Sequence, residues 1–111
     1  MEIFEAIQQK MAIAKPYITV ILRKGEQYDT PDTQEFLMTQ HVPYLFKLRL
    51  EGLLNITVAA SGTADIKGVA IYNLTDIEQV KQLTENDPAI RAEKLCYDIM
   101  PCFGFPGDVL L

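Results

Sequence analysis

Residues 53–73 read LLNITVAASGTADIKGVAIYN. Two runs rich in β-branched and apolar residues, 53–60 and 66–73, flank a Ser-Gly-Thr-Ala-Asp turn at 61–65, the pattern of a β-hairpin. Helical patterns lie on both sides of it. Upstream, Thr30 is placed to cap a long helix over 31–51, with Pro31 at its first position and Gly52 as its stop. Downstream, Thr75 and Glu78 form a T-x-x-E capping pattern before a shorter helix carrying Ile77, Val80 and Leu83 and ending near Asn86. The outermost runs, YITVILRK at 17–24 and KLCYDIMPCF at 94–103, read as strands. The order β-α-β-β-α-β predicts an α+β chain of the ferredoxin-like class, a four-stranded antiparallel sheet with both helices on one face.

Three segments follow from this. Residues 16–105 form the ferredoxin-like domain, 1–15 an N-terminal extension and 106–111 a tail. Ile3, Phe4, Ile7 and Met11 recur at helical spacing, so 2–13 is expected to form an amphipathic helix. Its polar face mixes Glu2, Glu5, Gln8, Gln9 and Lys10 without basic enrichment, which favours packing on protein over lying on a membrane. The strands are apolar on both faces: Ile18, Val20 and Leu22 oppose Tyr17 and Ile21, and Ala70 and Tyr72 oppose Val69 and Ile71. Helices cover one face, and a second copy's sheet is expected on the other, giving a homodimer.

The chain has 111 residues, enough for one core without disulfides or metals. Its net charge of -5 argues against a nucleic-acid partner, because phosphate binding needs clustered Lys and Arg. IKGVAIYN superficially resembles an RNA-recognition strand, yet Val69 and Ile71 stand where bases would stack on aromatics. The N-terminus lacks a basic start and is interrupted by charges, and no apolar run approaches the ~20 residues of a membrane span, so a cytoplasmic protein is expected. Cys96 and Cys102, roughly 20 Å apart along one strand, cannot pair with each other and read as reduced thiols, Cys102 the more accessible. A single His, distant Cys and unclustered carboxylates speak against a metal site, and there is no Gly-rich phosphate loop; no cofactor is expected.

The one histidine carries most of the chemistry. At 100° per residue, Leu37, His41, Tyr44, Leu45 and Leu48 share a stripe, which turns His41 inward. Pro43 cannot donate to the Thr39 carbonyl and is expected to kink the helix beside the ring. On the second helix Ile77, Val80 and Thr84 form the inner stripe, and its continuation brings Asp87 to the same side. At ~1.5 Å per residue, His41 lies ~15 Å along its helix and Asp87 ~17 Å along the other, which sets them at one level. Such a pair moves protons near neutral pH. Asp87 before Pro88 is equally the pattern of a helix N-cap, and an inward histidine equally a hydrogen-bonded core residue. Tyr17, Tyr44, Tyr72 and Tyr97 read mainly as core and interface aromatics.

QHVPYLFKLRLEGLL (40–54), the hairpin ending GVAIYNL (68–74) and DIEQVKQLTENDPAIRAEKLCYDIMPCFG (76–104) together resemble the YCII-related (YciI-like) family over about residues 16–105. The matching features are His41, Gly52, the Asp87-Pro88 pair, and Tyr97, Ile99 and Pro101 of the closing strand. The resemblance implies a dimeric α+β barrel with a cleft between sheet and helices and a His-Asp functional pair. It also implies distant likeness to muconolactone isomerases and a chloromuconolactone dehalogenase, which eliminates halide from a small ring acid. His41 and Asp87 are then the catalytic candidates of an isomerase or lyase acting on a small organic acid or lactone. Tyr44 and Arg23, Lys24 or Arg91 are the substrate-binding candidates. The N-terminal helix and Pro43 depart from the family pattern. The competing reading is a non-catalytic binding or structural homodimer; an open pocket beside His41 would favour a ligand, and a groove filled by the N-terminal helix would favour structure.

Overall fold

Alternating side chains build the sheet. In the computed structural model, which describes residues 1–111, strands β1 (Lys15–Lys24), β2 (Leu54–Ala59), β3 (Ile66–Tyr72) and β4 (Leu95–Gly104) form one sheet in the order β2-β3-β1-β4. All three pairings are antiparallel. The register sets Ile18 opposite Tyr72 and Val20 opposite Ala70, so these buried residues line one face. Leu48, Val80 and Ala89 close over them from the helical side, and Leu95 of β4 completes the core. Each large apolar side chain buried this way stabilises the fold by roughly 1.5–3 kcal/mol. This is the ferredoxin-like α+β arrangement expected from the hairpin and its flanking helices.

The helical layer contains α2 (Thr33–Phe36), a π-helical turn (Leu37–His41) and α3 (Val42–Leu50), running as one broken helix, then α4 (Ile77–Glu85) and α5 (Pro88–Arg91). The break differs from the simple proline kink expected at Pro43. Val42 N–H donates to the Leu37 carbonyl, five residues back, and the Thr39 hydroxyl donates to the Glu35 carbonyl at 2.8 Å. Thr39 thus satisfies an acceptor that the wide turn disturbs, and the missing N–H of Pro43 falls just past the turn, where the ladder is already loosened. The helix ends as read, with Gly52 at φ 79°, but it begins at Thr33, because Thr30 and Pro31 belong to the preceding turn. On α4 the cap is Asp76 and not Thr75: its carboxylate accepts from the amides of Glu78 and Gln79. Val80 and Thr84 of its inner stripe are buried, whereas Ile77 is exposed.

At the periphery the helix expected over 2–13 forms, and the expectation for the two cysteines is corrected. Helix α1 (Ile3–Ile13) forms, capped by the Glu2 carboxylate, but none of its residues is buried, and Phe4 is 72 % exposed. It touches the tail through a Lys10–Asp108 ion pair of 2.6 Å and plugs no groove in the domain. Cys96 is the exposed thiol, while Cys102 is half-buried with its sulfur 3.0 Å from the Thr19 hydroxyl. No helix is long and apolar enough to cross a membrane.

The segment that launches the broken helix is tied to the sheet by polar groups. Lys94, only 6 % exposed, donates to the Thr30 hydroxyl and pairs with Asp32 at 2.8 Å. Gly25 and Gln27 donate backbone bonds to the carbonyls of Lys94 and Glu93, and a Cβ on Gly25 would meet the Glu93 oxygen at 2.2 Å. That approach admits only glycine, since the obstacle is backbone. Hydrogen bonds from Lys94, then from Thr30, hold the Asp32 carboxyl below its ordinary value. A depressed folded-state value makes the contribution of Asp32 complete above about pH 4, and it fades as pH falls through the lowered value. Asp32→Asn is therefore expected to flatten the acid limb of a stability-against-pH curve, measured by urea unfolding between neutral pH and pH 3; an unchanged acid limb would count against the Lys94–Asp32 tie.

Candidate functional site

The π turn ends on His41, and Asp87 is the N-cap of α5; the two elements meet side by side. His41 Nδ1 lies 2.7 Å from Asp87 Oδ2, with the residues 7 % and 2 % exposed. The other carboxylate oxygen, Oδ1, accepts from the Ala89 amide at 2.9 Å. Both roles read for Asp87, cap and histidine partner, are filled at once by its two oxygens. A carboxylate accepts, so Nδ1 carries a proton, and the tautomer this selects has its lone pair at Nε2. Nε2 has no protein partner and is not sealed, since every side-chain nitrogen or oxygen shut off from solvent has one.

Two phenols stand near the pair. Tyr44 donates to the Leu83 carbonyl at 2.7 Å, joining α3 to α4. Burial raises its pKa, and the charge of Asp87 adds to the effect. Burial likewise pushes Tyr72 up to about 12, with Tyr44 and Asp87 contributing. Both stay protonated at neutral pH, which suits hydrogen-bond donors and not bases.

His41 also lines a cavity of 390 Å³ between the broken helix and the β2-β3 side of the sheet. Thirteen of its 18 lining residues are apolar, Leu37, Met38, Val42 and Phe46 among them. The volume falls at the low end of the ~300–1,000 Å³ typical of small-ligand sites. Tyr28, Gln34, Thr57 and Lys67 supply the other polar groups, and no carboxylate lines the wall.

The candidates for binding a substrate are not all gathered there. Tyr44 is spent on the Leu83 carbonyl and does not line the cavity. Arg23 faces the opposite side of the sheet, held by Asp98 at 2.7 Å and Asp65 at 3.1 Å, a pairing that raises its pKa. Arg91 is exposed at the end of α5, and neither it nor Lys24 lines the cavity. The cation that does is Lys67, which sequence reading passed over. Strict alternation sets it beside Val69 and Ile71, but the β1-β3 register shifts at this point, between Leu22 opposite Gly68 and Arg23 opposite Ile66. The adjacent Gly68 was the one available hint, as a glycine within a strand often marks a bulge.

Fold and geometry together define a ferredoxin-like α+β domain with a buried His-Asp pair opening on an apolar cavity. The chain matches no protein-family model and no curated protein. Among solved structures it is similar to the 5-chloro-2-hydroxyhydroquinone dehydrochlorinase from Burkholderia phenoliruptrix AC1100, in complex with 2,5-dihydroxybenzoquinone. The TM-score is 0.51 at 20 % identity, covering 75 % of this chain and 90 % of that one. At that identity the likeness is one of fold.

Because the pair is buried, each partner relies on the other for satisfaction. A double-mutant cycle with His41→Ala and Asp87→Ala, measured by chemical unfolding, is expected to give a coupling of about 1–3 kcal/mol. Asp87→Ala is expected to be the costlier single change, since it also removes the α5 cap, worth about 0.5–2 kcal/mol. A coupling near zero would mean that the contact contributes nothing in solution.

Proposed function

We propose that the chain is a YciI-like small-molecule enzyme of isomerase or lyase type, with His41 as acid-base and Asp87 as its positioning partner. The observation that carries this reading is the division of one ring: Nδ1 is held by a buried carboxylate, while Nε2 has no protein partner and the residue lines the cavity. Nε2 takes a proton from an acidic C–H of the substrate, and Asp87 stabilises the imidazolium that forms. In an isomerisation the electron pair shifts along the substrate and Nε2 returns the proton to another carbon. In an elimination the pair forms a C=C bond while a leaving group such as chloride departs with its own pair. The dehydrochlorinase with a similar fold is bound to a dihydroxybenzoquinone, in keeping with a compact ring compound as the substrate; a ring acid or lactone is what the YciI-like resemblance adds.

The open cavity beside His41 favours a ligand over a purely structural role, and α1 leaves it unfilled. Proton abstraction is readable before the substrate is identified. Incubated in D2O with a panel of unsaturated and halogenated ring acids, the chain is expected to exchange a substrate C–H. His41→Gln is expected to lower that rate by about 10²–10⁴. Exchange that survives in a folded His41→Gln variant would remove the histidine from the chemistry.

The same reading includes a homodimer through the uncovered sheet face, where Val69 and Ile71 are half-buried in a single chain and Met100 is exposed. Sedimentation equilibrium is expected to give twice the 12.5 kDa chain mass, and Ile71→Glu to return it to one. A monomeric wild-type chain would refute the dimer.

A further inference from the structure

Resting on that reading of the cavity, we infer that Lys67 is its specificity residue and that the ligand is a compact anion, a carboxylate or phenolate on an apolar body. Lys67 is the one formally charged side chain besides the histidine in the lining. Its ammonium donates to the Gly62 carbonyl at 3.0 Å and lies 5.4 Å from the centre of the Tyr28 ring. Neither contact neutralises it. Lys24, which shares that ring at 5.3 Å, has Asp29 at 3.9 Å, whereas no carboxylate comes within 4.0 Å of Lys67. Lys67 is only half-buried, so water still reaches its charge; a bound anion that displaces that water supplies the counter-charge in its place.

A second donor agrees with the first. The Tyr28 hydroxyl, also in the lining, accepts from the Gln34 amide at 3.3 Å, and its own proton has no protein acceptor. Two donor groups with protons still free, in a wall that contains no carboxylate, match a ligand oxygen carrying negative charge. The Gly62 carbonyl and the Tyr28 ring hold the lysine stem in place, so little freedom is lost on binding. With the chain at net -5, the local cation also offsets the repulsion an anion meets on approach. Apolar residues around the cavity then accept the body of the ligand beside Nε2.

Benzoate and its neutral isostere benzamide test this by isothermal titration calorimetry. Wild type is expected to prefer benzoate by about tenfold, the worth of one charge-assisted hydrogen bond. Lys67→Met, which keeps the stem and removes the charge, is expected to bring the two ligands to parity. Lys67→Arg and His41→Gln are expected to retain the preference. Parity or absence of binding in wild type, or a preference that survives in Lys67→Met, overturns the inference. So does a preference lost in His41→Gln, which would make the imidazolium the anion reader. Failure of the proton-transfer reading is distinct: it shows as deuterium exchange that persists in His41→Gln, whatever the benzoate preference does.

Discussion

The hydrogen bond between His41 and Asp87 is the constraint on which the site depends. It joins residues 46 positions apart and locks the π turn to the cap of α5. The carboxylate is divided between two tasks, one oxygen holding the imidazole and the other the first free amide of a helix. A side chain so committed has little rotamer freedom, and the ring inherits that rigidity. Removing either partner would strand a buried polar group, so hydrogen-bond satisfaction on folding maintains the arrangement whether or not the cavity is filled.

Around that contact the molecule separates its apolar and polar work. Ile18, Val20, Leu48, Val80 and Ala89 fill the space between sheet and helices. The polar cluster of Thr30, Asp32 and Lys94 fixes where the broken helix starts, and Tyr44 ties α3 to α4 through the Leu83 carbonyl. These ties are spread over both ends of the helical layer. None of these residues lines the cavity, whose wall is left to apolar side chains, the histidine and a few other polar groups.

Much of this was legible in the chain because it follows from periodicity. Alternation in 17–24 and 66–73 identified the buried faces, and axial rise along two helices brought His41 and Asp87 to one level, where the structure places them in contact. What escaped was whatever depends on a local break in period. The register shift that moves Lys67 to the cavity has no signature beyond Gly68, and without it Arg23 looked an equal candidate for an anion. Caps slipped by a residue or two: from Thr75 to Asp76, because neighbouring side chains can both accept from free amides, and from Thr30 to Asp32, which caps without a side-chain hydrogen bond because its carboxylate is taken by Lys94 and Thr30. The amphipathic pattern of α1 predicted a helix, which forms; what its apolar stripe packs on was not legible, since a hydrophobic stripe says that something should cover it and not what.

The π turn over 37–41 holds one residue more than a regular turn, and the three residues on its outer side, Met38, Thr39 and Gln40, are exposed. Their identities are therefore open to drift. The wide turn absorbs its extra residue, so α2 and α3 keep the relative phase of an uninterrupted helix; the same residue wound regularly would turn one against the other by about 100° and carry the side chains before the turn off the face that His41 shares with the core.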